Sequence, residues 1–225
     1  MQEKLWYIKS AQIFSGMKPH DHAYLSELAR MVPFKRDEII YLPDDLSHYV
    51  YLVKKGRVKL SRIDIQGREV TLDIIGPMDI FGELALADEA TRSHTATALE
   101  EGFLCIFSKQ NFKKVMDTYP YFGLAVVKLI GLRMRKLESR LEDLAFRSVS
   151  ERVTDTLLRL AKEFGRQEAD GAVRVPITQS QLANLVGASR EKVAEELGKL
   201  RREGVVNTAY RAIILQNHPG APRNA

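Results

Sequence analysis

The chain has 225 residues, 45% apolar and 28% charged, a balance that excludes a wholly disordered protein and leaves room for two modest domains. Its formal charge is +5, and from Arg147 onward 13 Lys/Arg stand against 9 Asp/Glu, so nearly all of the excess lies in the C-terminal third. That bias suits nucleic acid but also fits a domain with no such partner. Cys105 is the only cysteine, which rules out an intrachain disulfide, a four-cysteine iron–sulfur cluster and a zinc ribbon, and suits a reducing cytosol.

Met1 to Phe14 holds no apolar run of signal-peptide length, and Tyr121 to Leu132 is broken by Lys128 and too short for a bilayer, so a soluble, cytoplasmic protein is expected. Residues 1–30 read as short helices, with Leu5, Ile8, Ile13 and Phe14, then Asp21 to Arg30 with Leu25 and Leu28. From Val32 the texture becomes β: Ile39 to Leu42, Tyr49 to Val53, Val58 and Leu60, Val70, Leu72 and Ile74, and Phe103 to Phe107, punctuated by Gly56, Gly67, Gly76 and Gly102. Gln66-Gly67 between Ile63-Asp64-Ile65 and Glu69-Val70 reads as a hairpin turn. Many short strands at this spacing predict a small barrel or jelly-roll. Cys105, inside an apolar run, reads as a buried structural residue.

Helical texture resumes at Lys109. Asn111 to Asp117 is a short helix, and Pro120 sits where a first turn tolerates it. Val127, Ile130, Met134, Leu137, Leu141 and Leu144 then follow at alternating spacings of three and four, a heptad seam flanked by Arg133, Arg135, Lys136, Glu138, Arg140, Glu142 and Asp143. Such a helix either packs on its own barrel or pairs with a second copy. At 25 residues it reaches roughly 37 Å, more than a small barrel needs, which favours a dimer. Val149 to Phe164 forms a second helix, with Val153, Leu157, Leu160, Ala161 and Phe164 on one face; Gly165 to Gly171 reads as a loop and Asn217 to Ala225 as a frayed tail.

Ile177 to Leu197 carries the strongest signal. Thr178 and Gln181 form a capping box that starts a helix lined by Leu182, Leu185 and Val186. Gly187 permits a sharp turn, and Ser189 caps a helix whose Val193, Leu197 and Leu200 face inward. Two short helices joined by a Gly turn form a helix-turn-helix, whose second member enters the major groove. Arg190, Glu191 and Glu195 lie on its outward face, where arginine can grip guanine O6 and N7 and glutamate can accept from cytosine N4. The alternative is a helical hairpin with a solvated charged face. Val205 to Leu215 looks like a β-hairpin wing.

With these residues, nearly the whole chain resembles the cyclic-AMP receptor protein/FNR family of bacterial regulators. The resemblance is carried by Leu144-Ala145-Phe146, Ile177-Thr178, Val186-Gly187 and Ser189-Arg190-Glu191, and by Phe81-Gly82-Glu83-Leu84-Ala85-Leu86 followed by Arg92-Ser93, which looks like the family's phosphate-binding cassette. It implies an α+β fold: a β-roll (double-stranded jelly-roll) sensor of the cyclic-nucleotide-binding type over 1–118, a dimerisation helix over 119–146, a winged helix-turn-helix over 147–217 and a flexible tail over 218–225. It also implies a homodimeric, activator-type transcription regulator. Its implied partners are double-stranded DNA, RNA polymerase and a small effector, for which a cyclic nucleotide is one candidate.

Gly82, Glu83, Leu84, Ala85, Arg92, Ser93, Arg133, Leu137 and Glu138 stand at the family's effector positions. Chemically, Gly82 lets backbone N–H groups approach an anion, Glu83 can accept from a ribose hydroxyl, and Arg92 and Ser93 can donate to a phosphate. Thr178, Gln179, Ser189, Arg190, Glu191, Glu195 and Lys199 stand at its DNA positions. The chain departs from the cyclic-AMP pattern where Leu137 and Glu138 replace two hydroxyl residues, and from the DNA pattern where Glu195 replaces an arginine. Neither metal nor haem is expected, because His20, His22, His48 and His94 are scattered; His94, next to Ser93, reads as a rim residue. Glu100-Glu101 and Glu195-Glu196 read as surface pairs, and no Walker, Gly-x-Ser-x-Gly or His-Glu-x-x-His motif suggests an enzyme, so no catalytic residue is assigned. A regulatory module with the same roll and no DNA binding is the alternative of a different class.

Overall fold

A computed structural model describes residues 24–25, 27–87 and 90–216. The helices expected around Leu5 to Phe14, the histidines His20 and His22, and the tail from Asn217 lie outside the described residues. The chain forms two compact units, one up to Arg135 and one from Lys136.

The first unit is a roll of two four-stranded antiparallel sheets. One has the order β1 (Ala29–Phe34), β8 (Gly102–Ser108), β3 (Tyr49–Lys55), β6 (Ile80–Phe81); the other β2 (Ile39–Tyr41), β7 (Thr95–Ala98), β4 (Val58–Ile63), β5 (Glu69–Ile75). The near-continuous apolar runs of β3 and β8 follow from burial on both faces. Successive side chains alternate between two cores. Val50, Leu52, Cys105 and Phe107 turn toward the helices, joining Phe112, Val115, Phe122 and Val126. Tyr51, Val53 and Leu104 turn into the roll, joining Phe34, Tyr41, Val58, Leu60, Ile75, Phe81, Ala96 and Ala98. Cys105 is fully buried, as its apolar setting predicted.

Three expectations change here. The helix read through Arg30 stops earlier, because Ala29 and Arg30 pair with Phe107 and Ile106 in β1; sheet pairing overrides local pattern. Ile65 is not a strand residue: the Asp64 carboxylate accepts from Gln66 N and Arg68 N, both at 2.9 Å, which closes the β4–β5 turn and leaves Ile65 wholly exposed. Glu100 is no free surface acid, since it pairs at 3.1 Å with the buried Arg57.

Helix α1 (Lys109–Thr118) begins at Ser108, whose hydroxyl accepts from Asn111 N at 3.1 Å. Helix α2 (Pro120–Phe146) starts on Pro120 as expected and buries only Phe122 and Val126. Phe107 meets Phe112 edge to face and Phe112 meets Phe122 at a tilt, with centroids 5.8 and 5.1 Å apart, and the three tie these helices to the roll; each buried aromatic contributes about 1.5–3 kcal/mol. Among the described residues no single helix is long and apolar enough to cross a membrane.

The second unit holds α3 (Val149–Phe164), α4 (Gln179–Val186), α5 (Arg190–Arg202) and a sheet of order β11 (Val206–Ala209), β12 (Ala212–Leu215), β10 (Val173–Val175), β9 (Arg166–Gln167). The segment read as a loop from Gly165 thus contains a short strand, Arg166 and Gln167 pairing with Arg174 and Val173. The core joins Val153, Leu157 and Leu160 of α3 to Leu182, Val186, Val193, Leu197 and Ile213. Glu196 corrects another expectation: it is 4% exposed, on the inner face of α5 rather than the surface.

Candidate anion site and nucleic-acid interface

The cassette follows β6. Gly82 adopts φ +75°, and a 3-10 turn over Glu83–Ala87 begins there, with Ala85 N donating to Gly82 O at 3.2 Å. Gly82 needs its bare Cα: a Cβ would lie 2.9 Å from Arg92 Nη1 and 3.1 Å from both Tyr49 O and Tyr51 Cδ2. Arg92 is 3% exposed. Its Nη1 donates to Gly82 O at 3.1 Å and its Nη2 to Tyr49 O, while Nε has no hydrogen-bond partner. The guanidinium lies 4.6 Å from the ring centroid of Tyr41 and 5.6 Å from that of Tyr51, and Tyr51 stacks on Phe81 at 4.8 Å. Cation–π attraction of about 0.5–2 kcal/mol per ring helps hold a buried cation here.

Around this core sit further polar groups. Arg133, on α2, donates to the Glu83 carboxylate at 2.5 Å and to Ile80 O. Burial opposes the Arg133 charge, but Glu83, with Asp73 and Asp79, outweighs it and holds the guanidinium more firmly protonated than usual. Tyr41 Oη and His94 Nε2 are 2.8 Å apart, His94 Nδ1 is 3.3 Å from Ser93 Oγ, and Arg62 Nε donates to Ser93 O at 2.9 Å. Burial pushes the Tyr41 and Tyr51 hydroxyls up, so both stay protonated. It pushes His94 down, aided by Arg92, Arg62 and Arg133 and opposed by Glu83. Arg133 is thus answered by Glu83, with Asp73 and Asp79 acting on it too, while Arg92 is buried against neutral partners and Arg62 lies exposed at the edge, an arrangement suited to an added anion beside Arg92. Leu84 is exposed and Ala85 buried. Leu137 and Glu138 lie on α2 beyond Arg135, both exposed. Among the described residues, no three His, Cys, Asp or Glu gather to hold a metal ion.

In the second unit the capping box forms as predicted: Thr178 Oγ1 accepts from Gln181 N at 3.1 Å and Gln181 Oε1 from Thr178 N at 2.9 Å. Gly187 takes the left-handed conformation, φ 66° and ψ 47°, and Ser189 Oγ accepts from Lys192 N at 3.2 Å to open α5. Ser189, Arg190, Glu191 and Glu195 are exposed, Lys199 half-buried, and Thr178 and Gln179 half-buried at the start of α4. The Glu195 carboxylate accepts from Lys192 at 2.9 Å and from Lys199 at 3.1 Å, which holds it below the usual carboxylate range. Glu196 pairs with Lys199 at 3.0 Å and bonds to Ser150 of α3. The β11–β12 hairpin turns at Tyr210, 88% exposed, and Arg211, at φ 52°.

Residues 31–119 match the cyclic nucleotide-binding domain, and residues 151–220 the Crp-like helix-turn-helix domain. The chain is 32% identical over 217 residues to the CRP-like cAMP-activated global transcriptional regulator of Mycobacterium tuberculosis, covering 96% of each chain. It is also 32% identical over 200 residues to the cyclic AMP receptor protein of Thermus thermophilus, covering 88% of this chain and 89% of that one. The chain belongs to the CRP/FNR family. The fold agrees: the c-di-GMP-responsive global regulator of Xanthomonas campestris superposes with a TM-score of 0.77 at 22% identity, covering 85% of this chain and 96% of that one. This CRP/FNR protein is a transcriptional regulator that joins a cyclic nucleotide-binding domain to a helix-turn-helix.

Of the residues expected from the sequence to hold an effector, Gly82, Glu83, Ala85, Arg92, Ser93 and Arg133 come together in one unit. The sequence missed Tyr41, Tyr51 and Arg62 and gave His94 only a rim position, because strand pairing alone brings residues 41 and 94 side by side. Glu196 had a visible signal: it falls three residues after Val193 and four before Leu200, on the inner stripe.

Proposed function

We propose that this regulator acts in the cytoplasm as a homodimer on a two-fold symmetric operator, governed by a small phosphate-bearing effector at the cassette, with no enzymatic step of its own. The dimer is supported by α2, where Val127, Ile130, Met134, Leu137, Leu141 and Leu144 are 41–67% exposed in one protomer. A heptad row this apolar needs a second copy to cover it. The observation that carries DNA recognition is the pair of capped helices α4 and α5 with Arg190 and Glu191 exposed at the start of the second. Two such helices spaced by roughly 34 Å match half-sites one turn apart. RNA polymerase is the further partner of an activator of this kind.

The effector reading is supported by the cluster of Arg62, Arg92, Arg133 and His94, and by the cyclic nucleotides in the names of the relatives above. An effector shifts DNA affinity only by binding one arrangement of the dimer better than the other. Leu137 and Glu138 offer adenine no pair of hydroxyls, so the base is held differently from the family's cyclic-AMP pattern. Control by abundance alone is the second reading, favoured by the Arg92 fork already satisfied by Gly82 O and Tyr49 O.

Operator selection from random duplexes, repeated with cyclic AMP, cyclic GMP and cyclic di-GMP, decides among these. Enriched palindromic half-sites bound more tightly with one of the three are expected. Enrichment that no nucleotide alters favours control by abundance. No preference over random duplex refutes the DNA role.

A further inference from the structure

We propose that His94 is a proton-linked contact of the effector: an anionic ligand at the cassette binds together with one proton, which goes to the imidazole. This rests on the effector reading above and adds its regulation by pH.

The geometry is a short chain of titratable and hydroxyl groups. His94 Nε2 meets Tyr41 Oη at 2.8 Å, and Nδ1 meets Ser93 Oγ at 3.3 Å. The charged groups facing the ring are Glu83, Arg92, Arg62 and Arg133. Arg133 is answered by Glu83, with Asp73 and Asp79 nearby. The hydrogen bonds of Arg92 go to neutral groups, the carbonyls of Gly82 and Tyr49 and the Tyr51 side chain, and its Nε, in a residue 3% exposed, has no partner. Arg92 is thus a buried guanidinium bonded to neutral groups, while Arg62 lies exposed at the edge.

A neutral imidazole carries one N–H and one lone pair. Its lone pair takes the hydrogen of one hydroxyl, Tyr41 or Ser93, leaving only the other free to donate elsewhere. The protonated ring donates from both nitrogens, so both hydroxyls become acceptors and both of their hydrogens turn to a third group. An anion is that third group. Without it, burial and three arginines keep the ring neutral, below the usual histidine range. With it, the added negative charge favours the imidazolium. Ligand and proton therefore bind cooperatively. Affinity is flat below the free-protein pKa and falls as pH rises from there through the ligand-bound value.

The test is calorimetry of the full chain with cyclic AMP, and with cyclic di-GMP as second probe, in buffers of different ionisation heat between about pH 5.5 and 8. Phosphodiesters do not titrate in this range, so any proton taken up belongs to the protein. Uptake approaching one proton per site, with affinity falling toward about tenfold per pH unit, is expected. His94→Gln, which keeps a hydrogen-bonding side chain that cannot titrate, should lose both. In the wild-type protein, with no substitution to perturb folding, the midpoint of the His94 imidazole proton resonance should rise when the probe saturates the site. A probe that binds without proton uptake, or uptake that survives in His94→Gln, overturns the role of His94 and leaves the effector site standing. If neither probe binds the wild-type chain at any pH, the effector reading fails and this inference with it.

Discussion

Replacing Gly82 by alanine tests how tightly the cassette is built. The new Cβ meets Arg92 Nη1 at 2.9 Å, Tyr49 O at 3.1 Å and Tyr51 Cδ2 at 3.1 Å. None of these yields cheaply. Tyr49 belongs to β3, in register with Ser108 of β8; Tyr51 stacks on Phe81; Arg92 is held by two carbonyls. A non-glycine residue at φ +75° costs about 1–2 kcal/mol, and overpacking adds about 1–3 kcal/mol. The expected loss is about 3 kcal/mol, or roughly 6–12 °C in Tm for a chain of this size. Gly67 supplies the control within the same unit. It has φ +77° but nothing within 4 Å of the place a Cβ would take, so Gly67→Ala carries the conformational cost alone, about 1–2 kcal/mol. Urea unfolding followed by circular dichroism separates the two. Equal losses within about 0.5 kcal/mol would show that Gly82 is only a turn residue and that Arg92 is not pinned.

Three further outcomes follow from the same structure. Leu137→Asp, at a half-exposed seam position, should leave helicity intact but weaken the dimer by about 3 kcal/mol, through two unpaired carboxylates buried at the seam; an undiminished dimer by sedimentation refutes the seam. Arg190→Ala should cost about 1–3 kcal/mol and relax one base position, and uniform weakening over all operator variants contradicts direct readout. Ser148 donates from its hydroxyl and its N–H to the Glu151 carboxylate at 2.7 and 2.8 Å, which holds that group below its ordinary 4.5. Its contribution is thus present above the unfolded value and lost as pH falls through the lower folded value. Glu151→Gln still caps α3, so urea midpoints should differ little at neutral pH and lose part of their acid dependence; an unchanged acid limb counts against the bond.

Legibility tracked the range over which each interaction acts. Helix α3 runs from Val149 to Phe164 as its apolar spacing predicted, and Thr178 with Gln181 caps α4 as their three-residue separation required. Both are settled within one or two helical turns. The roll was legible as a class from its apolar runs. Strand β7 was not, because Thr95 to Ala98 carries only small side chains, and a strand between β2 and β4 needs nothing larger to line the narrow interior. The cassette motif was legible, but its surroundings were not. Tyr41, Tyr51, Arg62 and His94 become neighbours only through the register of β2, β3, β4 and β7, which no local pattern encodes.

Glu195 shows where a residue proposed to read DNA has a competing use. By position it can accept from cytosine N4. In the protein its carboxylate is already bound by Lys192 and Lys199, one turn to either side, and these contacts keep it ionised. A glutamate so held offsets part of the charge of Lys192 and Lys199, which Glu196 also contacts at 3.7 and 3.0 Å. Glu195→Gln should therefore loosen Lys192, whose remaining contact to Glu196 is 3.7 Å, more than Lys199, which Glu196 still holds at 3.0 Å. Affinity should rise on every duplex, and the slope of log K against log salt should steepen by about 0.9 per protomer, the value for one new phosphate contact. Filter binding over a salt series, on the selected operator and on random duplex, measures both slopes. If Glu195 instead reads a base, the slopes stay fixed and discrimination collapses at one operator position, and the lysine clamp then has no part in affinity.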